Sequence, residues 1–88
     1  MKVRKGFSIC SIGEENIVIS DGMSDTAFNG MIRLNSTGAF FWGLLENETT
    51  VEAMVEATLA EYDVSRETAL AEIEKVVEIL DREGLLEK

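Results

Sequence analysis

The sequence predicts an α+β domain in which three short antiparallel strands precede three helices, a winged helix-turn-helix arrangement (βββααα). Three observations predict it. Up to residue 34, short apolar and β-branched runs alternate with Gly- and Asp-rich breaks. Beyond residue 35, apolar side chains recur at helical spacing behind capping residues. With 88 residues and a 45% apolar share, the chain has enough for one core and one domain, residues 1–88.

Phe7 and Ile9 alternate with Ser8 and Cys10, the period of a strand with one buried face. Gly13-Glu14-Glu15-Asn16 reads as a hairpin loop, and Ile17-Val18-Ile19-Ser20 as a second strand. Asp21-Gly22-Met23-Ser24-Asp25 is a turn-rich break. Gly30-Met31-Ile32-Arg33-Leu34 is the third strand, with Met31 and Arg33 on one face and Gly30, Ile32 and Leu34 on the other.

Asn35 or Ser36 caps a first helix over residues 36–45, where Phe40, Phe41, Leu44 and Leu45 fall at i, i+3, i+4 spacing. Gly38 and Gly43 lower its intrinsic helicity, so tertiary packing has to hold it. Phe40, Phe41 and Trp42 are consecutive and cannot all point inward, so one is partly exposed. Thr49-Thr50-Val51-Glu52 has the spacing of a capping box, and Val51, Met54, Val55, Leu59 and Tyr62 line one face of a second helix. Ser65 caps a third helix with an apolar stripe of Leu70, Ile73, Val76, Val77 and Leu80 and an i, i+4 pair of Glu78 and Arg82. Gly84 is placed to end it, with Leu85 and Leu86 folding back onto the core. The short turn between the second and third helices is that of a helix-turn-helix.

Composition removes several function classes. There is no histidine, so the commonest general base and the usual Cys/His zinc sites are excluded. Cys10 is the single cysteine, which rules out an internal disulfide, and it sits in an alternating apolar segment with no activating neighbour. Asp21 and Asp25 fit turn chemistry better than a calcium loop. No nucleophile–base set, phosphate-cradling glycine loop or nucleotide fingerprint is present, so neither catalysis nor a cofactor is expected. No apolar run is long enough to span a membrane, and the basic start Met1-Lys2-Val3-Arg4-Lys5 lacks the apolar region of a signal peptide; a cytoplasmic location is the expectation.

Charge is segregated. Residues 1–34 balance to zero, whereas residues 35–88 hold thirteen acidic against four basic side chains and carry the whole net charge of −9. The third helix, offered to DNA as a recognition helix, would bring Glu67, Glu72, Glu74, Glu78 and Asp81 against the phosphates, so nucleic acid is not the expected partner.

An exposed third strand offers unpaired backbone groups to a guest peptide, and Gly30 lets a guest backbone come close. Some of the apolar positions of the third helix face the core and some can line a groove beside that strand; the sequence leaves the division open. An interaction module for a folded partner, including a homodimer, is the alternative reading.

The stretches Gly6-Phe7, Phe28-Asn29-Gly30-Met31-Ile32, Leu34-Asn35-x-Thr37-Gly38-Ala39-x-x-Trp42-x-Leu44-Leu45, Thr50-Val51-Glu52, Tyr62-Asp63-Val64 and Gly84-Leu85-Leu86 together resemble the PqqD family of small peptide-binding domains. Ser36 and Gly43 depart from it, standing where the family often has acidic or polar helix formers. The resemblance implies a non-catalytic peptide chaperone, or RiPP recognition element. Such a domain binds the leader of a ribosomally made precursor peptide as an added antiparallel strand. It serves a maturation enzyme, often of the radical SAM class, in the making of pyrroloquinoline quinone or another peptide product. Carried onto this chain, the implied peptide-binding residues are Phe28, Gly30, Met31, Ile32, Arg33 and Leu34 on the strand, and Ala69, Leu70, Ile73, Val76, Val77 and Leu80 on the helix.

Overall fold

The computed structural model describes residues 1–20 and 32–87. The elements run β1 (Lys2–Val3), β2 (Phe7–Ile12), β3 (Glu15–Ser20), β4 (Ile32–Leu34), α1 (Ser36–Leu45), α2 (Val51–Glu61), α3 (Arg66–Arg82) and β5 (Leu86–Glu87). The three expected strands are β2, β3 and β4, in an antiparallel sheet of that order. Phe28, Gly30, Met31, Asp21 and Asp25 lie outside the described residues.

The hairpin is tighter than the sequence reading has it. Ile12 pairs with Glu15, so the turn is Gly13-Glu14 alone and Glu15 and Asn16 belong to β3. The period of two then sorts the faces. Phe7, Ile9, Val18, Ile32 and Leu34 point into the core, and Ser8, Cys10, Ile12, Ile17, Ile19 and Arg33 lie on the opposite face.

Each helix starts on a side-chain cap. Asn35 Oδ1 accepts from the Gly38 N–H (2.8 Å), Thr50 from that of Ala53 (3.1 Å) and Ser65 from that of Thr68 (3.1 Å). The Thr49/Glu52 capping box is displaced by this: Thr50 is the cap, and Glu52 instead lies in the first turn, where its charge suits the helix dipole. Among the described residues the Glu78–Arg82 pair does not form; Arg66 of α3 instead pairs with Glu52 and Glu56 of α2.

The end of α3 closes the domain. The Gly84 N–H bonds the Asp81 carbonyl (3.0 Å) and the Leu85 N–H bonds that of Leu80 (2.8 Å), a Schellman motif. It requires positive φ at Gly84, which has φ 78°. Leu80 and Leu85, the apolar pair that accompanies the motif, are both fully buried. The turn delivers Leu86 to β5, which pairs antiparallel with β1 (Val3 with Leu86). This two-stranded ribbon was not legible in the sequence. Its two-residue strands lack a periodic signal, and their pairing depends on the turn at Gly84.

The core lies between the inner face of the sheet and the three helices, around Trp42, Phe41, Leu45, Met54, Ile73 and Leu80. Phe40 is the partly exposed member of the aromatic trio, set edge-on against Tyr62 at 5.3 Å between ring centres.

The two α1 glycines have opposite roles. At Gly38 a Cβ would meet the Cβ of Leu34 at 3.1 Å, because the helix starts hard against β4; at Gly43 it would meet nothing within 4 Å. Gly43→Ala is therefore expected to stabilise by ~0.5–1 kcal/mol through helix propensity. Gly38→Ala is expected to destabilise by ~1 kcal/mol, the crowding at a buried contact exceeding the same propensity gain. Urea denaturation of the two variants reads both signs.

Candidate functional site

Strand order leaves β4 at one end of the sheet. Its inner neighbour is β3, through Val18–Ile32, Ile17–Arg33 and Asn16–Leu34, and no described strand pairs with its other edge. In an antiparallel ladder, alternate residues of an edge strand aim N–H and C=O away from the neighbour. Ile32 and Leu34 bury their side chains in the core, so what β4 offers outward is backbone. Arg33 projects from the opposite face, largely exposed, with Nη1 3.5 Å from Glu15 Oε1.

Helix α3 has two flanks either side of its buried line of Ala69, Ile73, Val76 and Leu80. Arg66, Leu70 and Val77 share one flank, and Arg66 reaches across to Glu52 and Glu56, so this flank is turned to α2. Thr68, Glu72 and Ile79 share the other.

On that second flank a cavity of about 280 Å³ opens where β4 ends. Asn35 and Thr37 contribute from the β4–α1 joint and Phe41 from α1. Thr58, Tyr62 and Val64 come from the end of α2 and its turn, and Thr68, Ala69 and Glu72 from α3. Its acceptors are unevenly occupied. Asn35 Oδ1 caps α1, Thr58 Oγ1 donates to the Met54 carbonyl (2.7 Å), and Thr68 Oγ1 accepts from Ser65 Oγ (2.9 Å). Glu72, half-buried, forms no ion pair with any described residue: Arg66, six residues before it, is held by α2, and Lys75, three residues after it, is exposed and does not pair with it.

Of the twelve positions implied by the resemblance, Phe28, Gly30 and Met31 lie outside the described residues. Ile32, Leu34, Ala69, Ile73, Val76 and Leu80 are core side chains, Ile73 and Leu80 with no exposure at all. Leu70 is 37% exposed and Val77 partly buried, both on the α2-facing flank. Thr37, Tyr62, Thr68 and Glu72 were not among the sequence candidates. The i, i+4 spacing of Thr68 and Glu72 beside the apolar line was visible, but polar residues on a helix flank ordinarily face water.

Among the described residues no helix is long and apolar enough to cross a membrane, and no three His, Cys, Asp or Glu side chains gather as metal ligands. Residues 16–86 match a family described as coenzyme PQQ synthesis protein D (PqqD). No curated protein sequence matches the chain. Among solved structures, TbiB1 in complex with the TbiA(β) leader peptide is similar, at 26% identity and a TM-score of 0.75 over 99% of this chain and 95% of that one.

Proposed function

The chain belongs to the PqqD family, and from that premise we propose that it is a non-catalytic peptide chaperone. In this reading it binds the leader segment of a ribosomally made precursor by strand addition to the outer edge of β4, beside α3. It then presents the precursor to a maturation enzyme, of the radical SAM class or another, for pyrroloquinoline quinone or a different peptide product.

The observation that carries the reading is an edge strand, paired on one side only among the described residues, that ends at an open cavity on α3. The leader peptide bound to the TbiB1 neighbour supports it. Strand β2 is the sheet's other edge, but the cavity opens at β4. The guest's affinity comes chiefly from backbone bonds, and its selectivity from side chains meeting α3. A micromolar complex needs about −8 kcal/mol. Several ladder bonds at ~1 kcal/mol each and two or three buried anchors reach that after ordering costs.

An amide NMR titration with overlapping peptides from the short reading frames beside the gene tests the proposal. Shifts are expected at residues 32–37 and along α3 from Thr68 to Ile79. Shifts confined to β2, or none in the presence of the neighbouring enzyme, would overturn it.

A further inference from the structure

We propose that the cavity at the end of β4 is a subsite for one arginine or lysine side chain of the bound peptide; the assignment rests on the strand-addition reading above. An antiparallel guest on β4 has its N-terminal end beside Leu34, next to Asn35 at the cavity mouth. The basic residue therefore lies just N-terminal to the segment that pairs.

Size, walls and charge each select this side chain. At about 280 Å³ the cavity lies at the small end of ligand pockets and has room for one long side chain. Phe41, Tyr62, Val64 and Ala69 give the lining an apolar share that can cover an aliphatic stem. The strongest acceptor of the lining, Glu72, forms no ion pair with a described residue, the exposed Lys75 one turn on included. Arginine and lysine carry donors only, so they complement such a site. A carboxylate guest would face Glu72 and the net −9 of the chain. An apolar guest would bury Glu72 without a partner.

The test takes a peptide that shifts β4 in the titration. Each of its basic residues is replaced in turn by norleucine, which keeps the stem and removes the charge, and each peptide is measured by calorimetry against the wild-type chain and Glu72→Gln. One replacement is expected to weaken binding to the wild-type chain about tenfold, or about 1.4 kcal/mol. Glu72→Gln should weaken the parent peptide by a similar factor and make that one replacement neutral. Circular dichroism checks that Glu72→Gln is folded. If peptide binds at β4 and neither change alters its affinity, the subsite is overturned and strand addition stands. If no peptide binds at β4, strand addition fails and the subsite falls with it.

Discussion

Trp42→Ala is expected to lower the unfolding free energy by about 3–5 kcal/mol. Domains of this size are stable by roughly 5–15 kcal/mol, so the variant keeps a narrow margin at best. Trp42 is 2% exposed and is the largest side chain of the core. It belongs to α1, a helix with little intrinsic preference for its state: two glycines, no acidic residue in the first turn and no basic residue in the last. Such a helix is held by what it buries, and Phe41, Trp42 and Leu45 are what it buries. Removing the indole leaves a cavity in the core that its neighbours fill only in part. Because the mutation deletes the only tryptophan, denaturation is best followed by far-ultraviolet circular dichroism. A loss below about 1 kcal/mol would show that α1 is held chiefly by its Asn35 cap and its short connection to β4.

How far the sequence reveals this molecule depends on how local each signal is. The helices were legible because caps and stripes are contained in each segment: α1 occupies residues 36–45 as read, and Ser65 caps α3. Gly84 was legible for the same reason, since positive φ and the following leucines form one local motif. The β1–β5 ribbon joins residues more than eighty positions apart and has no local trace. The hairpin turn is two residues shorter than the sequence suggests because Glu15 and Asn16 look like loop residues, and only pairing with Ile12 and Ser11 draws them into β3. For the site, apolar periodicity located α3 but could not separate core from surface. Ile73 and Leu80 are wholly buried, whereas the cavity is walled by Thr68 and Glu72, which the pattern treats as solvent-facing. A cavity arises from three helix ends meeting, and no single segment encodes it.

The backbone of the guest supplies the sharper test of β4, because mutating the strand disturbs the fold. Ile32→Pro is expected to abolish binding, but Ile32 is a core side chain and proline also threatens the ladder to β3, so a folded control is required. N-methylation of the peptide avoids this. In an added strand only alternate amides point at β4; the others face away. Methyl groups on two inward amides remove two donors and wedge methyls into the ladder. Affinity is expected to fall about 100-fold or more, or ~2.7 kcal/mol, from two lost bonds and the edge carbonyls left without donors. Methyls on the two intervening amides should change it only a few-fold. Isothermal calorimetry on the two peptides reads this directly, and the pattern separates the binding modes. A guest docked as a helix loses affinity with either set, because both break helical bonds. A guest held by side chains alone tolerates both. Only an added strand distinguishes the two sets, and the set that destroys binding identifies which guest residues turn their side chains toward α3 and which turn them away.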